Sequence, residues 1–198
     1  MIVIGLTGSI GMGKSTTAKM FADEGIPVSD SDQVVHDLYT GEAVPLLADD
    51  FPEVIDGGAV DRQLLSKTLA KNPDKLKLLE AIVHPLVRQK QRDFVVARER
   101  EGCDLVLLDI PLLFEVGRAD DVDVIVVASC DVEQQRKRVL ARPNMSVEKF
   151  EFILSLQMPD AEKRRRADYI VDTGQGMDAA RDQVRKIVTE LRAREGRR

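Results

Sequence analysis

The sequence predicts a three-layer α/β fold on a parallel five-stranded sheet, and three observations lead there. Five short aliphatic or β-branched runs recur along the 198 residues, helical stretches separate them, and the runs are apolar almost without interruption. Strands joined by connections long enough to hold a helix pair in parallel. Strands without polar alternation belong to a sheet covered on both faces.

Ile2-Val3-Ile4 opens the series, and a Gly-rich turn leads into a helix from Lys14 to Glu24 that Gly25 closes. The later strands are Ile26-Pro27-Val28, Leu105 to Leu108, Val122 to Val127 with Asp123 inside it, and Tyr169-Ile170-Val171. Helices are expected at Val132 to Ala141 and Met177 to Arg194. Two stretches exceed what a crossover needs. Between the second and third strands lie helical patterns at Arg62 to Ala70, Asp74 to Val83 and Pro85 to Arg100, with a boundary at Pro85 because proline disfavours helix in the residue before it. Between the fourth and fifth, Arg136 to Arg166 is dense in Arg and Lys around an amphipathic stretch, Val147 to Leu156. Such material forms lobes over the strand ends, where open α/β sheets bind ligands, or else extra packing helices. The tail from Leu191 to Arg198, with four arginines, is expected to fray.

Composition removes other classes. A chain 43% hydrophobic and 32% charged, with 13 Gly and 8 Pro, is neither collagenous nor wholly disordered. With 29 basic against 34 acidic residues the net charge is −5, the wrong sign for a protein that gains affinity by neutralising a nucleic-acid backbone. Cys103 and Cys130 form no C-x-x-C pair, so neither a zinc ribbon nor a disulfide scaffold is expected. Met1 to Leu6 is too short for a signal-peptide core and no run reaches membrane-spanning length. The expectation is a cytoplasmic protein with neither a membrane nor a nucleic-acid partner.

The chemistry starts directly after the first strand. Gly8-Ser9-Ile10-Gly11-Met12-Gly13-Lys14-Ser15 satisfies the phosphate-loop pattern G-x-x-x-x-G-K-[ST] in its required strand-to-helix setting. Glycines let the backbone N–H groups curl into an anion cradle, and the helix opening near Lys14 adds its positive end. Lys14 is placed to reach the β- and γ-phosphates, the Ser15 hydroxyl to ligate Mg²⁺, and Thr16 to complete the phosphate contacts. A nucleoside triphosphate with Mg²⁺ is therefore the expected ligand set, and the fold becomes the P-loop NTPase fold.

The acceptor is less direct. There is no N-K-x-D string to read a guanine base, and Asp109 closes the third strand without an acidic companion. Asp109 reads equally as an outer ligand of magnesium or as a strand-end cap. After the second strand, Asp30 and Asp32 offer one carboxylate to cap the next helix and one to face a cleft, where it would take a hydroxyl proton. Among Arg136, Lys137, Arg138, Arg142 and Lys163 to Arg166, most suit a solvated face, while one or two would close over ATP.

Taken together, these residues resemble dephospho-CoA kinases along nearly the whole chain. The resemblance rests on Gly5 to Thr16, on Val28-Ser29-Asp30-Ser31-Asp32, on Asp56-Gly57-Gly58-Ala59-Val60-Asp61-Arg62, on His84-Pro85, and on Pro111-Leu112-Leu113-Phe114-Glu115. It implies transfer of the ATP γ-phosphate to the ribose 3′-hydroxyl of dephospho-CoA. It further implies Asp32 as general base, Lys14 as phosphate clamp, Arg142 as an arginine over ATP, and Gly8, Gly11, Met12, Gly13, Lys14, Ser15 and Thr16 as the ATP site. Acceptor binding falls to Asp32 and His84, although His84 also reads as a buried histidine at a helix end. A single domain is implied, with core residues 1–33, 103–135 and 167–198, a helical acceptor-binding lobe at about 34–102 and a lid at about 136–166. A family glutamine corresponds to Gln157, with no role assigned. Two departures stand out. Thr173 follows Asp172 where an asparagine is usual, which bears on nucleotide-base preference, and Arg142-Pro143-Asn144 replaces a commoner Arg-Asp, which would stiffen a hinge. The alternatives are a kinase for another nucleoside or nucleotide, and a nucleotide-dependent switch.

Overall fold

A computed structural model describes residues 1–196. The elements run β1 (Ile2–Thr7), α1 (Lys14–Asp23), β2 (Val28–Asp30), α2 (Ser31–Tyr39), α3 (Ala43–Ala48), β3 (Ile55–Asp56), β4 (Ala59–Val60), α4 (Arg62–Lys71), α5 (Lys75–Arg100), β5 (Leu105–Asp109), β6 (Val124–Ser129), α6 (Val132–Leu140), α7 (Val147–Ser155), α8 (Asp160–Arg166), β7 (Tyr169–Asp172) and α9 (Met177–Glu195). They divide into two compact units, Met1–Val28 with Ala97–Arg198, and Ser29–Val96.

The sheet has the order β2-β5-β1-β6-β7, and β1 pairs in parallel with both β5 and β6. Ile4 stands opposite Leu107 on one side and Val124 on the other. One face is packed by Ala18, Met20 and Phe21 of α1 and by Val184, Ile187, Val188 and Leu191 of α9, against Ile2, Ile4, Leu6, Leu105, Leu107, Val124 and Val126. The alternate residues Val106, Leu108 and Val127 are buried as well. Burial of both side-chain rows is what the unbroken apolar strands required.

Two strands sit later than the sequence pattern places them. The second begins at Val28 rather than Ile26: Pro27 has no N–H for the ladder, although its carbonyl accepts Leu107 N–H at 2.9 Å. The fourth begins at Val124, and the carboxylate of Asp123 just before it accepts Val3 N–H at 2.8 Å. The tail does not fray where expected. Helix α9 runs to Glu195 with Leu191 fully buried, and Glu195 holds the Met1 ammonium at 2.5 Å. Arg197 and Arg198 lie outside the described residues.

The second unit has a core of its own, in which Leu38, Tyr39, Leu47, Phe51, Val54, Val60, Leu65, Leu79, Val83 and Val87 are buried together. Burial pushes the Tyr39 phenol above its usual range, against a smaller opposing pull from Arg62. The boundary expected at Pro85 is absent, since α5 continues through it from Lys75 to Arg100. The reason is which side of the helix the proline occupies. Leu79, Val83, Val87 and Gln91 form the buried stripe, while Pro85 and Ala81, whose carbonyl loses its partner, are exposed to water. The short β3–β4 hairpin, Ile55 opposite Val60, turns through Gly57 and Gly58 and was not anticipated from the pattern.

Candidate active site

The loop between β1 and α1 is shaped by what its glycines allow. A Cβ on Gly8 would lie 2.7 Å from the Ala128 carbonyl oxygen, so β6 fits against the loop only with no side chain there. Gly13 sits at φ 91°, a left-handed conformation that glycine adopts without strain, and directly precedes α1. No side chain caps α1 and no acidic residue stands in its first turn, so the helix start is left open to an anion. Gly11 packs over Val139 and Gln135 of α6. Ser15 and Thr16 are exposed on that first turn. Met12 turns its side chain inward, where Sδ accepts Cys130 N–H at 3.2 Å. Burial raises the pKa of the Cys130 thiol, against a smaller lowering from Arg138.

Lys14 Nζ lies 2.5 Å from Asp109 Oδ1, with only 3% of the Asp109 side chain exposed. The Asp109 carboxylate is thus the counter-charge of the loop lysine, a partner that neither expectation drawn for it included.

Three further side chains fix the loop. Thr173 Oγ1 donates to the Met12 carbonyl at 2.8 Å and accepts from Arg138 Nη1 at 3.0 Å, while Arg138 Nη2 donates to the Thr173 carbonyl at 2.7 Å. The threonine at the unusual position therefore spends its hydroxyl on the phosphate loop. Gln135 Nε2 donates to the Ile10 carbonyl at 2.8 Å, and Gln157 Oε1 accepts Ile10 N–H at 3.0 Å. Replacing Thr173 by valine keeps the methyl against Gly13 and deletes the hydroxyl. The expected result is a loss of about 1 kcal/mol in stability by thermal melting, with weaker ATP binding by titration.

The basic residues between 136 and 166 separate by role. Lys163 is fully buried and pairs with Glu115 at 2.9 Å; Arg136 reaches Glu151 at 3.8 Å; Arg165 and Arg166 both pair with Glu162. Arg138 serves Thr173, and Arg164 Nη1 donates to Ser129 Oγ at 3.3 Å. Arg142 is exposed, and among the described residues its guanidinium has no partner. Two residues on, Asn144 takes the left-handed φ of 58°, which asparagine tolerates better than most residues. Sequence alone does not set Lys163 and Arg138 apart from the solvated basic residues around them. Only the distant carboxylate and carbonyl that they meet do so.

In the second unit the aspartate pair resolves. Asp30 is the N-cap of α2, its Oδ1 accepting from Asp32 N at 2.8 Å and Gln33 N at 3.4 Å. Capping by Asp30 leaves Asp32 exposed in the first turn, and among the described residues its carboxylate makes no hydrogen bond or ion pair. His84 is exposed on α5, not buried at a helix end. It opens on a groove of 480 Å³ lined also by Lys77, Glu80, Arg88 and Arg92, three cations against one carboxylate.

A strand–loop–helix phosphate cradle at the carboxyl end of a central parallel strand, with its lysine set against a carboxylate on the neighbouring strand, defines a P-loop kinase. A family model described as dephospho-CoA kinase matches residues 2–178. A dephospho-CoA kinase of Agrobacterium fabrum is 60% identical over 193 residues, 98% of this chain and 100% of that one, and one of Rhizobium etli is 58% identical over 98% and 96%. A crystal structure of a Thermus thermophilus protein superposes with a TM-score of 0.83 at 35% identity, covering 96% of each chain. The chain belongs to the dephospho-CoA kinase family. It is an ATP-dependent phosphotransferase acting on a hydroxyl group. Among the described residues no helix is long and apolar enough to cross a membrane.

Proposed function

We propose that this chain moves the γ-phosphate of ATP to the 3′-hydroxyl of the dephospho-CoA ribose, giving CoA and ADP. The observation that carries the reading is the division of labour between two neighbouring aspartates: Asp30 caps α2, and Asp32 is thereby left to accept a proton. The hydroxyl oxygen attacks Pγ, its proton passes to Asp32, and the bond from Pγ to the bridging oxygen breaks with ADP leaving. Gly8, Gly11, Met12 and Gly13 supply loop backbone to the phosphates, Lys14 moves from Asp109 onto the β- and γ-phosphates, and Thr16 adds its hydroxyl. Arg142 neutralises charge on the phosphoryl group in flight, carried on a lid at about 136–166 whose turn is set by Asn144.

Magnesium fits the residues present. Ser15 is exposed at the helix start, Asp109 stands beside the loop lysine, and among the described residues no cluster of three or more His, Cys, Asp or Glu forms a protein cage. That sparse donor set suits an ion that keeps waters and phosphate oxygens in its shell. When bound it neutralises charge on the β- and γ-phosphates.

The acceptor-binding lobe in this reading is the stretch at about 34–102, most of which belongs to the unit Ser29–Val96, and the groove of His84, Lys77, Arg88 and Arg92 suits the diphosphate of dephospho-CoA. The test is coupled ADP production with ATP and Mg²⁺, with and without dephospho-CoA, and with nucleoside monophosphates in its place. ADP that depends on dephospho-CoA, with CoA as product, is the expected outcome. Equal ADP without any acceptor would overturn it.

A further inference from the structure

The phosphate loop is gripped at Ile10 by two carboxamides from different elements. Gln135 comes from α6, is 3% exposed, and bonds the Ile10 carbonyl. Gln157 comes from the link between α7 and α8 and takes the Ile10 N–H. This link is itself anchored. Gln157 N–H donates to the Leu154 carbonyl at 3.0 Å, and the next N–H, that of Met158, donates to Glu115 Oε1 at 2.8 Å. Glu115 is fixed in turn by Lys163 at 2.9 Å, with no part of the lysine side chain exposed. Adjacent residues of one link are thus tied to the phosphate loop and to the segment after β5.

We infer that Gln157 is a positioning residue for ATP: its carboxamide holds the third residue of the phosphate loop in the shape that receives phosphate, and it must be uncharged to do so. The inference rests on the ATP reading above. An N–H at Ile10 without its acceptor would be left unsatisfied or would turn toward another partner, changing the path of the loop. A loop that must be ordered as nucleotide arrives loses affinity to that ordering. The choice of side chain carries the second half. A carboxylate would accept the same N–H at least as strongly, since charged acceptors make the stronger bonds. It would also set a negative charge beside the triphosphate, in a half-buried place where charge repulsion is felt more than in water.

A purely structural role and a positioning role therefore rank two variants in opposite order. Gln157→Met keeps the length and removes the acceptor; Gln157→Glu keeps the acceptor and adds the charge. The full chain with Mg²⁺ is titrated by calorimetry with a non-hydrolysable ATP analogue. Separate KM values for ATP and dephospho-CoA are taken alongside. Expected is analogue binding about tenfold weaker for Gln157→Met, weaker again for Gln157→Glu, and a KM for dephospho-CoA within about twofold of wild type for both. Binding by Gln157→Glu that equals the wild type, or exceeds that of Gln157→Met, overturns the inference while leaving the kinase reading intact. A wild-type chain that fails to bind the analogue overturns both.

Discussion

Asp32→Asn is expected to lower kcat by about 10²- to 10⁴-fold while the affinity for ATP stays within about twofold, because proton acceptance belongs to the transfer step and not to nucleotide binding. Asparagine has nearly the same volume, and the cap of α2 is supplied by Asp30, so the helix should not notice the change. The control is Asp30→Asn, which retains a capping oxygen and should leave kcat near wild type. Steady-state kinetics on the two variants, with ATP binding measured separately, decides the matter. An Asp32→Asn enzyme with full kcat would remove Asp32 from the base role. A large loss of kcat in Asp30→Asn, with Asp32→Asn near wild type, would move that role to Asp30.

Lys14→Met should show two losses with different remedies. The first is catalytic. Removing the ammonium from the β- and γ-phosphates is expected to cost about 10²- to 10³-fold in kcat/KM, by analogy with the loss of one preorganised donor to developing charge. The second is in stability, since the 2.5 Å pair with the Asp109 carboxylate, whose side chain is only 3% exposed, is lost. Breaking such a pair costs about 3–5 kcal/mol, and the 14% exposure of the Lys14 side chain places the effect toward the lower end. Adding Asp109→Asn removes the buried negative charge that Lys14 answers, so the double variant should melt closer to wild type than Lys14→Met and remain inactive. Thermal melts beside kinetics on all three variants give the comparison. If the double variant melts no higher than Lys14→Met, the ion pair does not carry the stability assigned to it.

What was legible in the sequence was local. The loop from Gly8 to Ser15 is set by residues adjacent in the chain, so pattern and structure agree. The same holds for the burial of both sheet faces, written in strands with no polar alternation. The residues themselves leave the roles of Asp30 and Asp32 open, and only the family resemblance singles out Asp32, because two carboxylates two residues apart look alike until the start of α2 fixes which one is the cap. The ion pair of Asp109 with Lys14 could not be read locally, because the two lie 95 residues apart in the chain. Lys163 and Arg138 looked like solvent-facing cations for the same reason: their partners, Glu115 and Thr173, come from other segments. Pro85 misled in the opposite direction. A local rule predicted a break, and a 26-residue helix anchored on its other face overrode it. Thr173 was noticed only as a departure, and nothing in a single sequence shows that its hydroxyl faces Met12.

The strand order has a consequence for how the chain comes into being. β1 emerges first from the ribosome, yet its two neighbours begin at Leu105 and Val124. At about 5–20 residues per second, this apolar central strand waits roughly 5–20 s for either partner. The unit Ser29–Val96 draws its core from one continuous stretch and can close in that interval. The residues of that core are all in hand while the centre of the sheet is still an unpaired strand, whereas the phosphate loop gains its Thr173 contact only after residues as late as Thr173 arrive.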